Sequence, residues 1–183
     1  MVEYEQEYFN GKGYNEYADF PAHKERVNHL IEMLEPKSVL DVGCAYGYIV
    51  MYLIQRGIRA VGMDISKYAE SRAKGIIPHN YVCHDMRVTP YPFKDKEFDV
   101  LYCEGVLEHI EEEYIDKVMA EFERVSNRRY IQVSFDWHAN VKDELGHVTI
   151  KPTTWWFKKI PMGSYLAMGN TATEENIGWL YKG

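Results

Sequence analysis

The stretch Lys37-Ser38-Val39-Leu40-Asp41-Val42-Gly43 constrains this chain more than any other: a short apolar, β-branched run that stops at a glycine. From about Tyr48 to Arg56 it is succeeded by residues that read as a helix. A run of that kind predicts a strand, and the glycine lets the chain turn sharply toward that helix. The unit then repeats. Arg59–Asp64 is a second strand after Gly57, and Ser66 is placed to cap a helix reaching about Lys74. Asn80–His84 and Phe98–Tyr102 read as third and fourth strands, joined by a Pro-rich, charged loop around Pro90–Lys96. Glu111–Val125 reads as a helix with Ile115, Val118, Met119 and Phe122 on one side, and Arg129–Phe135 as a fifth strand. Strands alternating with helices at this spacing predict an α/β fold. The expected sheet is doubly wound and mainly parallel, with a ligand crevice at the carboxyl ends of its strands.

The flanking segments are read on the same terms. Residues 1–21 are aromatic and polar, a loose or short-helical lead-in, and Ala22–Leu34 carries Val27, Leu30, Ile31 and Leu34 on one helical face before Pro36. Residues 136–160 form a polar, His-bearing loop and a short aromatic helix from Thr153 to Ile160. Ser164–Met168 and Ile177–Tyr181 are expected to close the sheet as an antiparallel strand pair. At 183 residues the whole chain, 1–183, is expected to be a single domain.

Charge and cysteine content narrow the function. Lys plus Arg total 21 against 28 Asp plus Glu, a net charge of −7, which argues against a nucleic-acid partner unless basic residues concentrate locally. The densest basic stretches, Arg124–Arg129 and Lys151–Lys159, read as solvated helix ends. Cys44, Cys83 and Cys103 are widely spaced with no C-x-x-C pair, so neither a disulfide framework nor a zinc site is expected, and a cytoplasmic setting fits. No apolar run approaches the roughly 20 residues needed to span a bilayer, and no targeting segment is expected at the N-terminus.

The residues at the expected crevice point to a nucleoside-like ligand. Gly43 allows the turn, and Gly47 would let the backbone approach a ligand where a Cβ would collide. Ala45 stands where a pyrophosphate-binding G-x-G-x-x-G turn would have its second glycine, and no P-loop is present, so a cofactor without phosphates fits best and a nicotinamide dehydrogenase is disfavoured. Asp64, about 20 residues on at the end of the second strand, is placed to accept both ribose hydroxyls. Asp85, after the third strand, is placed to accept a hydrogen bond from an adenine amine.

VLDVGCAYGY, VGMDIS, CHDM and FDVLYCEGVLEHI, in that order over roughly residues 38 to 110, resemble the motifs of class I S-adenosyl-L-methionine (SAM)-dependent methyltransferases, with their Rossmann-like fold. The G-C-A-Y-G-Y variant, DIS-x-YA and GHVTIKP-x-x-WW are similar to small methyltransferases of sugar and natural-product gene clusters. The resemblance implies that Gly43, Cys44, Ala45 and Gly47 pass beside the methionine moiety. It implies that Asp41 orders the turn or reaches the amino group through water, and that the backbone around Glu104 faces that amino group. Asp64 would hold the ribose, Ile65 would pack on the adenine, and Asp85 and Met86 would bracket it. Tyr8, Tyr14 and Tyr17 with His23 are expected to form a lid, Tyr14 being the one carried as a cofactor-binding candidate.

Methyl transfer to a hydroxyl needs alignment and removal of a proton, and histidine is the natural base near neutral pH. The candidates are His109, in the Leu107-Glu108-His109 signature, and His138 and His147, in the loop expected to overhang the sheet edge. Asp136, Trp137, Trp155 and Trp156 would complete an acceptor wall. Asp136, His138 and His147 suit a metal by type, but their spacing is no recognised metal motif, and no metal site is expected. The expected activity is methylation of a small-molecule or sugar acceptor at a hydroxyl, giving S-adenosyl-L-homocysteine (SAH). The alternatives are N-methylation and a SAM-binding protein that transfers no methyl group.

Overall fold

The β-branched runs do become strands, and their order in the sheet creates the crevice. The structure, a computed structural model, describes residues 4–12, 16–134, 146–160 and 176–182. Among these, β1 (Ser38–Val42), β2 (Arg59–Asp64), β3 (Tyr81–Cys83), β4 (Phe98–Glu104), β5 (Ser126–Ser134) and β6 (Asn176–Lys182) form one sheet in the order β3-β2-β1-β4-β5-β6. The first five strands are parallel, with Leu40 opposite Val61 on one side and Leu101 on the other. β6 runs antiparallel to β5 along Arg128–Ser134. Its expected partner, Ser164–Met168, lies outside the described residues.

Side chains alternate across the strands, so each face has its own core. Val39 and Val100 pack with Val27, Leu30, Val50 and Leu53, from α1 (Pro21–Leu34) and α2 (Tyr48–Gln55). Leu40, Val42 and Leu101 pack with Ile115, Val118 and Phe122 of α4 (Glu112–Val125) and with Trp156 of α5 (Thr153–Lys159). α3 (Lys67–Ala73) is capped as expected, Ser66 Oγ accepting the Ala69 N–H at 2.9 Å. This is the doubly wound arrangement, with the direction in which strands are added to the sheet reversing between β1 and β4.

One boundary differs in an informative way. α4 passes into β5 at Ser126 with no intervening loop, so residues 126–129 are strand rather than helix end. The Arg124–Arg129 stretch is accordingly not a solvated cluster. Arg124 bonds Glu121, Asp95 and the carbonyls of Tyr91 and Phe93, tying the Pro-rich loop to α4. Arg128 bonds Asp99 and the Leu34 carbonyl, and Arg129 is buried. Lys151 and Lys159 likewise pair with Glu112 and Asp116. Among the described residues, no helix is long and apolar enough to cross a membrane.

Candidate active site

β1 ends at Gly43, whose φ of 80° belongs to the left-handed region, and a Cβ there would lie 2.3 Å from Val106 Cγ2. Glycine is therefore required on both conformational and steric grounds. The turn continues through Ala45, at φ 48°, and Gly47, at φ 84°, into α2. Gly47 has a different reason from the one expected: its absent Cβ makes room for Ile77 Cδ1, 2.3 Å away, and not for a ligand.

A cavity of about 290 Å³ opens over this turn, near the lower end of small-molecule sites at roughly 300 Å³. Gly43 and Ala45 form one side, Met63, Asp64 and Ile65 come from the end of β2, and Asp85, Met86 and Arg87 from the loop after β3. Gly105, Val106, His109 and Glu111 complete it beyond β4, and Tyr4, Tyr8 and Phe9 of the lead-in close over it. Asp41, Cys44, Gly47 and Glu104 are not part of this wall. Tyr14, Asp136, Trp137 and His138 lie outside the described residues. Trp155 and Trp156 pack against the α4 side of the core, Trp156 fully buried.

The two crevice carboxylates are held differently. Asp64 Oδ2 accepts the Ala45 N–H and Oδ1 the Ser66 N–H, each at 2.9 Å, which leaves acceptor capacity on the carboxylate for a vicinal diol. Burial raises its pKa, and the backbone donors work against that rise. Asp85 is clasped by Arg87, whose Nε reaches Oδ1 at 3.0 Å and Nη2 reaches Oδ2 at 2.9 Å. Burial opposes its ionisation, but the guanidinium and the Arg87 N–H together hold the carboxyl below its ordinary value. Arg87 thus contacts both carboxylate oxygens twice, through its backbone N–H and Nε on Oδ1 and through Nε and Nη2 on Oδ2. Arg87 also reaches Glu111 at 3.2 Å, linking the β3 loop to the start of α4.

Behind the wall, Asp41 is buried, and desolvation, then the nearby charges of Glu104 and Asp64, push its pKa well up. Glu104 pairs with Arg26 of α1 at 2.9 Å and accepts the Tyr102 hydroxyl. Cys44 is a core thiol under Gly62. The lead-in is pinned by Ser66, whose Oγ donates to the Tyr4 carbonyl at 2.5 Å, and by Phe9, buried against Tyr46 and Tyr68. Tyr8 thus stands in the wall, whereas Tyr17 and His23 stack with Tyr48 at the start of α2.

On the acceptor side, His109 sits on the helical turn Leu107–His109 and lines the cavity. The His147 ring lies 4.6 Å from it, edge to face. Glu108, which no motif spacing singles out, is buried beside them, so that one ligand atom from each of Glu108, His109 and His147 falls within 4.8 Å of the others. The sequence leads to no expected metal site, Asp136, His138 and His147 being the set weighed for one, and this group shares only His147 with that set. Spacing along the chain does not show a group made by a fold-back contact. Tyr8 is one of the expected lid residues, whereas Arg87, Glu111, Tyr4 and Phe9 escape sequence reasoning for the same reason, since they come from aperiodic segments.

Residues 40–129 match the family described as methyltransferase domain. A tRNA U34 carboxymethyltransferase of Nautilia profundicola is 35% identical over 82 residues, 42% of this chain and 27% of that protein. The chain thus spans about a quarter of that relative's length. The PH0226 protein of Pyrococcus horikoshii superposes with a TM-score of 0.74 at 17% identity, covering 97% of this chain and 98% of the other. The N-terminal domain of EvdMO1, crystallised with SAH and D-fucose, superposes with a TM-score of 0.67 at 14% identity over 90% of this chain and 83% of that one. Residues 40–129 thus match the methyltransferase domain, and the fold is one shared with solved SAM-dependent methyltransferases. The cavity suits their cofactor, offering a carboxylate with acceptor capacity for a ribose, the Ile65 and Met86 side chains for an adenine, and a Cβ-free turn at Gly43.

Proposed function

We propose that this protein transfers a methyl group from SAM to a hydroxyl oxygen of a small-molecule or sugar acceptor. The observation that carries the reading is that Asp64, Asp85 and His109 line one cavity, so the nucleoside-holding carboxylates and a proton-handling group share a space. When bound, the cofactor supplies an electrophilic methyl group on a sulfonium. Asp64 takes the ribose hydroxyls, Asp85 in its Arg87 clasp stands beside the adenine amine, and Ile65 and Met86 flank the ring. Gly43 and Ala45 pass the methionine end, with Cys44, Gly47, Asp41 and Glu104 supporting that turn from behind. Tyr14 remains a cofactor-binding candidate from the sequence alone. His109 and His147 assist loss of the acceptor's proton, with His138 kept from the sequence as a further candidate.

A sugar-like acceptor accords with the fold shared with EvdMO1, a protein crystallised with D-fucose. The net charge of −7, with the Arg124–Arg129 arginines tied into the fold, disfavours an RNA acceptor. The three free thiols fit a reducing cytoplasm. The test is turnover: SAM with a panel of sugars and phenols should yield SAH. Asp64→Ala should weaken SAH binding by about 10²-fold, since hydrogen bonds to a charged group contribute roughly 1.5–3 kcal/mol each. His147→Ala should keep SAH affinity and lose turnover. Tight SAH binding with no turnover across the panel would reject methyl transfer.

A further inference from the structure

Glu108 and His109 are consecutive on the turn beyond β4, and His147 arrives from a distant part of the chain. Backbone bonds stitch the two segments together. The Val148 and Thr149 N–H groups both donate to the Glu108 carbonyl, at 2.9 and 3.0 Å, and Thr149 Oγ1 donates to the Ile110 carbonyl at 2.5 Å. Thr149 and Glu108 are each 1% exposed, so this junction is interior structure and not a surface accident. It fixes the segment carrying His147 beside the turn carrying Glu108 and His109, with their rings 4.6 Å apart and one ligand atom from each of the three within 4.8 Å of the others. Mutually cis nitrogen and oxygen ligands at roughly 2.0–2.2 Å from a cation lie about 3 Å apart, so binding would draw the three side chains closer together.

From this geometry we propose that Glu108, His109 and His147 hold a divalent transition-metal cation at the rim of the cofactor cavity. Two imidazoles and one carboxylate are the facial set that binds such ions while leaving positions open, and imidazole favours ions such as Mn²⁺, Fe²⁺, Co²⁺ or Zn²⁺ over Mg²⁺. His109 and Val148 both line the cofactor cavity, so the group stands at its rim.

The role of the ion rests on the methyl-transfer reading, although its binding does not. An acceptor hydroxyl on the cation has a lowered pKa and releases its proton to solvent. The oxygen's electron pair then forms the bond to the methyl carbon as the carbon–sulfur bond breaks and its pair returns to sulfur, leaving the thioether and one proton in solution. The two histidines thus act through the ion, not as bases.

The test is titration of chelator-treated protein with Mn²⁺, monitored by the paramagnetic resonance of free Mn²⁺, with SAH binding measured in parallel. The wild type should take up one Mn²⁺ per chain. His147→Ala and Glu108→Gln should each bind it at least tenfold more weakly while keeping SAH affinity. His147 is only half-buried, so its variant decides the matter should the Glu108 variant not fold. Mn²⁺ left free by the wild type, or bound equally well by His147→Ala, overturns the site. SAH binding without Mn²⁺ uptake rejects the metal and leaves methyl transfer standing. Mn²⁺ uptake that needs His147, in a protein without turnover, supports the metal and rejects only the methyl-transfer reading.

Discussion

Gly43 and Asp41, two residues apart at the end of β1, are constrained by opposite physics. Gly43 adopts a φ of 80° with Val106 Cγ2 in the place of a Cβ. Gly43→Ala should therefore cost about 1–3 kcal/mol from the left-handed backbone and overpacking, read as a lower thermal midpoint together with weaker SAH binding. An unchanged midpoint would show that Val106 yields freely. Asp41 is buried where desolvation, reinforced by Glu104 and Asp64, raises its pKa. The native state then keeps a proton that the unfolded chain has already lost, so stability is highest below the ordinary aspartate value and falls as pH rises above it. Asp41→Asn removes that loss. Its thermal midpoint relative to wild type should rise from pH 5 to pH 8, and a constant difference would contradict the burial argument.

The elements differ in how plainly the sequence announces them. β1, β2 and β4 are legible because short apolar runs ending at Gly43, Asp64 and Glu104 leave little else to form, and α4 because Ile115, Val118 and Phe122 recur on one face. The start of β5 is not, because Ser126, Asn127, Arg128 and Arg129 are polar. They sit in a strand because Arg128 pairs with Asp99 across the sheet and the Ser126 hydroxyl donates to the Phe122 carbonyl. The lead-in is legible only in kind. Its aromatic character is visible, but the choice of Tyr4, Tyr8 and Phe9 for the wall, with Tyr17 turned toward Tyr48, depends on contacts with α2 and α3. Phe9 is 3% exposed and anchors that segment. Phe9→Ala should cost roughly 3–5 kcal/mol of local docking, seen as faster amide exchange over residues 4–12 and weaker SAH binding, with exchange in the sheet unchanged. Equal acceleration throughout would mean that the segment is part of the core.

Across the whole molecule, the strand order places a turn that only Gly43 tolerates at the reversal between β1 and β4, and there Asp64 and Asp85 meet in one cavity. The cofactor half of the site is readable because each of its residues lies just beyond a strand end, and strand ends are what periodicity locates. The acceptor half is not, because Glu108, His109 and His147 meet through a fold-back contact that no spacing encodes. That this crevice holds SAM is tested most directly by calorimetry with SAH and NAD side by side on wild type and Asp64→Ala. SAH should bind the wild type once per chain and the variant about 10²-fold more weakly, as expected for losing hydrogen bonds to a carboxylate, with no heat from NAD. NAD binding in place of SAH, or SAH binding indifferent to Asp64, would contradict SAM as the occupant.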